Sequence, residues 1–210
     1  MELLAGKKAL ITGSGRGIGR EIALHFARAG ADVVLTARNE SRLRAVAEEI
    51  KTLSRKVLTL PADICQEQQV ANLARTVSAE WGALDILVNN AAAFARGNVV
   101  DLASSDWDKV INTNLRGAFL VTHYFLKDMI QQQSGTIVMV SSTSGKRADA
   151  GGAAYSASKF GLMGLAQSLL YEVRQHNIRV VVVSPSLVDT RVMAYDQIAS
   201  EGKPNFDSSF

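Results

Sequence analysis

Tyr155, Lys159 and Ser142 are the residues of this chain whose types and spacing could do chemistry. Tyr155 and Lys159 lie four apart in Tyr155-Ser156-Ala157-Ser158-Lys159, and Ser142 stands thirteen residues upstream of Tyr155. On a helix, residues four apart share a face one turn apart, so the Lys159 ammonium would sit beside the Tyr155 phenol. A free phenol titrates near about pH 10 and is a poor proton donor or base at neutral pH, and a neighbouring cation lowers that value. A phenol, an ammonium and a hydroxyl gathered around one carbonyl oxygen would form a set for acid catalysis. Tyr-x-x-x-Lys also arises by chance, so its weight rests on the elements that position it.

Those elements alternate. Short apolar, β-branched runs recur at Ala9 to Thr12, Val33 to Thr36, Val57 to Leu60, Ile86 to Val88, Thr136 to Val140 and Val180 to Val183. They read as buried strands. Helical periodicity fills the gaps: Ile22, Phe26 and Ala29; Leu43, Val46, Ala47 and Ile50; Val70, Leu73 and Val77. Longer helical segments are expected at Trp107 to Gln131 and Ala154 to His176, with Gly135 and Gly151-Gly152 marking loops. The β-α-β-α order predicts an α/β fold, a Rossmann-type doubly wound parallel sheet with helices on both faces.

The first strand runs into Thr12-Gly13-Ser14-Gly15-Arg16-Gly17-Ile18-Gly19, followed by an amphipathic stretch from Arg20 to Ala29. Such a turn brings backbone N–H groups and a helix N-terminus against a pyrophosphate, where side chains would block close approach. The spacing is Gly13-x-x-x-Gly17-x-Gly19, and no Gly-Lys-Ser/Thr follows, which disfavours a P-loop nucleotidase. The second strand should end beside the adenine ribose, where an acid would hold the 2′-hydroxyl of NAD and a base the 2′-phosphate of NADP. Thr36-Ala37-Arg38 offers no acid there, and Arg38 and Arg16 could both donate to a phosphate. NADP(H) is therefore expected in preference to NAD(H). The plainer alternative is that both arginines are solvated surface residues.

With these motifs in order, the chain resembles the short-chain dehydrogenase/reductase family from Gly6 to about Thr190, and the 3-oxoacyl reductases are the nearest familiar subgroup. Asn89-Asn90-Ala91-Ala92 resembles the family's Asn-Asn-Ala-Gly beside the cofactor, and Asp63-Ile64 the pair that contacts adenine. Asn114 matches the catalytic asparagine, and Ser142, Tyr155 and Lys159 the serine, tyrosine and lysine. The resemblance implies that Tyr155 exchanges a proton with a carbonyl oxygen as hydride passes to or from nicotinamide. It further implies that Ser142 binds the same oxygen, that Lys159 lowers the Tyr155 pKa and holds the nicotinamide ribose, and that Asn114 holds a proton-relaying water. Ser184-Pro185-Ser186-Leu187-Val188-Asp189-Thr190 resembles the Pro-Gly turn after the sixth strand, which places Pro185, Val188 and Thr190 at the cofactor. Ala92 and Ser186 stand where the family has glycine, and a side chain at 186 would be costly if that turn needs positive φ.

Composition bounds the rest. The chain has 210 residues, 47% hydrophobic and 20% charged, which fits one globular domain over 1–210. Its net charge of +3 comes from 23 basic and 20 acidic residues, and the isoelectric point is near 9.1. The charges are scattered, without a basic run interleaved with aromatics, so no nucleic acid partner is expected. The lone Cys65 excludes an intrachain disulfide and suits a cytoplasmic setting. No apolar leader or long apolar run predicts export or membrane insertion. His25, His123 and His176 lack metal-ligand spacing, so no metal is expected, and Trp81 and Trp107 read as core or interface.

The expected partner is a small carbonyl or acyl-thioester substrate. Lys146, Arg147 and Arg191 would be placed to meet an acidic carrier protein. The competing reading is a cofactor sensor or scaffold of reduced catalytic activity. After Thr190 no further strand is evident, whereas the family continues into a lid, a seventh strand and a helix; truncation at the C-terminus is the expectation. Pairing through the two long helices would give a homodimer or homotetramer.

Overall fold

A computed structural model describes residues 2–186 and 188. Six parallel strands form one sheet in the order β3-β2-β1-β4-β5-β6. They are β1 (Lys8–Thr12), β2 (Asp32–Thr36), β3 (Val57–Thr59), β4 (Ile86–Asn89), β5 (Gly135–Val140) and β6 (Ile178–Val183). The order reverses between β1 and β4, and at such a switch point the strand ends part to leave a ligand crevice. Register is set by in-step pairing, Ile11 facing Leu35 on one side and Val88 on the other. The expected strands are all present. β6 begins two residues earlier than its apolar run, because Ile178 and Arg179 pair with Gly135 and Thr136.

The helices are α1 (Gly17–Arg28), α2 (Glu40–Lys51), α3 (Glu67–Trp81), α4 (Ser104–Ile111), α5 (Ala118–Gln131) and α6 (Ala153–Val173). Alternation along the strands sends side chains to opposite faces. Ala9, Ile11, Val33, Leu35 and Val88 pack with Leu24, Leu43, Val46 and Ile50 of α1 and α2. Leu10, Val34, Leu87, Ile137 and Met139 pack on the other face with Leu73, Val121, Phe125, Leu162 and Leu169 of α3, α5 and α6. Two cores therefore clamp one sheet, as the βαβ pattern predicts.

Two helices differ from expectation. The periodicity from Trp107 to Gln131 predicts one helix, but Asn112–Gly117 forms a π-helical turn between α4 and α5. Such wide turns insert a residue into the ladder and cluster at functional sites. Two contacts account for it: the Asn114 amide is drawn into bonds with Ala93 and Ser158, and Gly117 approaches Ile64 so closely that a Cβ there would stand 2.8 Å from its Cδ1. α6 ends at Val173, three residues before its expected limit. Arg174–His176 tighten into a 3-10 turn, closed by Asn177 in the left-handed region at φ 55°.

No described helix is long and apolar enough to cross a membrane.

Candidate functional site

The glycine turn joins β1 to α1 directly below the switch point. Gly13 and Gly17 have φ of 68° and 57°, conformations that side chains rarely adopt. A Cβ on Gly13 would stand 2.9 Å from the Ala91 Cα, and one on Gly19 would strike the Gly13 carbonyl. α1 starts without a side-chain cap or an acidic residue in its first turn. Its leading N–H groups and positive dipole end are therefore available to an anion. This cradle fits the pyrophosphate of a dinucleotide. Gly15, Arg16, Gly17 and Ile18 line or follow the turn, whereas Ser14 is fully buried, its N–H and hydroxyl both directed at the Thr36 carbonyl at 3.4 Å.

Thr12 stitches the turn to the next strand end, a role not foreseen from sequence. Its hydroxyl donates to the Val88 carbonyl and accepts from the N–H groups of Asn90 and Ala91 at 2.9 and 3.0 Å. The Asn90 amide donates to the Thr12 carbonyl at 2.8 Å, so it braces the cradle from behind. Asn89 is 4% exposed and donates to Thr122 and to the Met139 sulfur. Asp63 accepts from the Cys65 N–H at 2.9 Å, closing a tight turn, while Ile64 packs into the core beneath Gly117. Arg16 and Arg38 are exposed at this end, and the Arg38 charge is felt at Cys65, beside the Asp63 turn.

The chemical set gathers where β5 ends against α6. Lys159 is 2% exposed, and its ammonium donates to the Val140 carbonyl at 2.7 Å. It lies 5.6 Å from the centre of the Tyr155 ring, within range of a cation–π attraction. Burial without a counter-charge pulls its pKa down to about 8. Ser142 follows β5 and accepts from the Ser144 N–H at 3.1 Å, which leaves its own proton to donate. Gly145 keeps this loop tight, since a Cβ there would stand 2.6 Å from the Ser141 hydroxyl and 3.0 Å from the Lys159 carbonyl.

Tyr155 is half-buried, and burial raises its pKa while the Ser142 hydroxyl works in the opposite direction. The lysine was expected to depress it. In this geometry the ammonium faces the Val140 carbonyl and the ring, and burial prevails.

Asn114 joins three segments. Its amide oxygen accepts from the Ala93 N–H at 2.7 Å, and its nitrogen donates to the Ala93 carbonyl and the Ser158 hydroxyl, both at 3.0 Å. Ser158 in turn donates to the Tyr155 carbonyl at 2.7 Å. Both amide donors are engaged, so the side chain ties the π-helical turn, the loop after β4 and α6 together. Ser158 escaped the sequence reading although it adjoins Lys159, because a small hydroxyl inside a helix carries no spacing signal.

The Pro185 carbonyl accepts from the Thr143 N–H at 3.0 Å, tying the loop after β6 to the Ser142 loop. The described non-glycine residues with positive φ are Ser54, Gln133 and Asn177, so Ser186 is without the positive φ that would make its side chain costly. Val188 is exposed at 47%. Thr190, Arg191 and the stretch from 193 to 210 lie outside the described residues. Lys146 and Arg147 are exposed beside the site. Among the described residues no cluster of three His, Cys, Asp or Glu side chains could hold a metal.

An open α/β sheet with a glycine cradle at its switch point, and a serine, tyrosine and lysine gathered where β5 ends, defines a Rossmann-type protein. The family model for short chain dehydrogenases matches residues 7–200. The 3-oxoacyl-(acyl-carrier-protein) reductase FabG of Thermotoga maritima is 36% identical over 187 residues, covering 89% of this chain and 76% of that protein. A metagenomic short-chain oxidoreductase, solved in complex with NADP, superposes with a TM-score of 0.84 at 39% identity, covering 94% of this chain and 89% of that one. A short-chain type dehydrogenase/reductase from Mycobacterium marinum superposes at 0.89 with 32% identity, covering 95% and 80%. The chain belongs to the short-chain dehydrogenase family, oxidoreductases that act on small molecules with a nicotinamide cofactor.

Proposed function

We propose that this protein is an NADP(H)-dependent oxidoreductase that interconverts a carbonyl and an alcohol, with Tyr155 as general acid and base. The observation that carries the reading is the placement of the half-buried Tyr155 phenol beside the Ser142 hydroxyl and the buried Lys159 ammonium. The bound nicotinamide would supply or accept the hydride. In the reductive direction Tyr155 gives its proton to the carbonyl oxygen, and Ser142 donates a hydrogen bond to the same oxygen. That second donor stabilises the developing alkoxide by about 3 kcal/mol, the usual worth of a preorganised donor. Lys159 supplies positive charge behind the ring and offsets the phenolate left after transfer.

Gly13, Gly17 and Gly19 would admit the pyrophosphate, and Arg16 and Arg38 the ribose 2′-phosphate. A 3-oxoacyl thioester is the favoured substrate class, on the strength of the Thermotoga relative. Phe119 on α5 and Phe160 on α6, 48% and 46% exposed, support self-association through these helices.

The test is NADPH oxidation against ketones and 3-oxoacyl thioesters by wild type and Tyr155→Phe. Turnover should fall by about 100-fold or more in the variant, the scale of a lost general acid, while NADPH binding by fluorescence titration is retained. Equal turnover in the two proteins, or cofactor binding without turnover in the wild type, would refute the assignment.

A further inference from the structure

One aromatic side chain stands against the candidate acid and has no part in the reading above. Phe94 lies in the loop after β4 and is 46% exposed. Its ring meets the Tyr155 ring edge-on, with centroids 5.1 Å apart and planes at 67°. A large apolar ring in a loop, half open to solvent and touching the residue that would protonate the substrate, forms a wall beside the reacting carbonyl.

The loop bearing it is fastened on both sides of the ring. Asn114 binds both backbone groups of Ala93, the residue before it. Two residues after it, Arg96 pairs with Asp149 at 3.1 Å and donates to the Ala150 carbonyl at 3.1 Å. The Gly97 N–H then donates to the Gly151 carbonyl at 3.0 Å. Gly151 has φ of 75°, and α6, which carries Tyr155, begins two residues later at Ala153. The clasp therefore anchors the Phe94 loop to the start of the helix that carries the phenol. An exposed ion pair adds little by itself, but here one backbone–backbone hydrogen bond and one from the Arg96 side chain to the Ala150 carbonyl accompany it and fix the same register.

We propose that Phe94, held against Tyr155 by the Arg96–Asp149 clasp, is a specificity-determining residue that favours carbonyls bearing an extended apolar substituent. The inference rests on the carbonyl-reducing function proposed above and names the substrate class for that site. An alkyl or aryl group attached to the carbonyl would lie along the Phe94 ring and remove its exposed face from water. A carboxylate in that position would lose its hydration against the same ring, and Arg96, already engaged by Asp149 and Ala150, is not free to pair with it.

The experiment uses one scaffold, the ethyl 3-oxoesters with methyl, propyl or phenyl on the reacting carbonyl, with NADPH as reductant. Wild type should show kcat/KM about tenfold or more higher for propyl and phenyl than for methyl, the scale set by a few buried carbons. Phe94→Ala should erase that ratio, chiefly through KM. Phe94→Leu should keep the propyl advantage and lose part of the phenyl advantage. A wild type without the preference, or a Phe94→Ala that retains it, overturns the inference and leaves the proposed function standing. If wild type reduces none of these esters and no other ketone or thioester, both fall. Phe94 is half-exposed, so Phe94→Ala should fold, and an unchanged Tm would confirm that its effect lies in the site.

Discussion

Lys159 shows what the site costs the fold. Its ordinary pKa of 10.5 drops to about 8 because the ammonium is buried with a single carbonyl partner. Below about pH 8 both the folded and unfolded chains carry the proton, and the fold bears the whole expense of burying the charge. Between about 8 and 10.5 the folded lysine gives up its proton while the unfolded one keeps it, so stability from this group climbs with pH. Lys159→Met, which fills similar space without charge, should therefore be more stable than wild type by about 1–3 kcal/mol near neutral pH. Urea unfolding should show that advantage shrinking as pH rises through this window; a constant or growing gap would contradict it. A residue that weakens the fold and is still present belongs to function before structure. Tyr155, Lys159 and Ser142 were legible because spacing and element order suffice to bring them together. Two of their contacts were not: the Val140 carbonyl reaches Lys159 and the Phe94 ring reaches Tyr155 only through tertiary approach, which leaves no periodic trace.

At the level of elements, the π-helical turn at Asn112–Gly117 is the feature that periodicity could not reveal. A widened turn keeps apolar residues near a helical period on both sides, so Val110, Ala118 and Val121 still read as one face. What sets the turn is long-range, the amide of Asn114 bonding across to Ala93 and Ser158. Removing that amide with Asn114→Ala leaves an N–H, a carbonyl and a hydroxyl without their partner in a buried setting. The expected loss is about 2–4 kcal/mol, from unsatisfied groups that each cost about 1–3 kcal/mol. Asn114→Asp should recover only part, because it can still accept from Ala93 but donates nothing. Denaturant titrations check this, and a loss under about 1 kcal/mol for the alanine variant would show that the bonds are readily replaced by water. Because Ser158 also binds the Tyr155 carbonyl, kcat should fall further than stability alone explains.

On the scale of the molecule, the alternating pattern of apolar runs made the sheet and its two cores legible, and with them the edge at which a ligand must bind. The glycine turn, Arg38, Asp63, Ser142 and Pro185 fall just beyond the carboxyl ends of strands, and Asn114, Tyr155 and Lys159 come from helical segments. Arg20, Arg44, Arg55, Arg96 and Arg116 are paired with carboxylates, whereas Arg16 and Arg38, like several other described arginines, are not, and both are exposed near the glycine turn and the end of β2. A dianionic 2′-phosphate there would gain charge-assisted hydrogen bonds that a 2′-hydroxyl cannot make. A ligand that binds only the folded chain stabilises it by about 2.7 kcal/mol when present at a hundred times its Kd. NADPH should accordingly raise Tm more than NADH at equal concentration, and added salt should erode the NADPH shift more steeply. Arg38→Ala should weaken NADPH binding about tenfold or more, equivalent to about 1.4 kcal/mol, and bring its thermal shift down toward that of NADH. If the variant keeps the wild-type NADPH shift, or if NADH protects the wild type equally well, the two arginines are ordinary surface residues and the cofactor preference assigned to this edge is wrong.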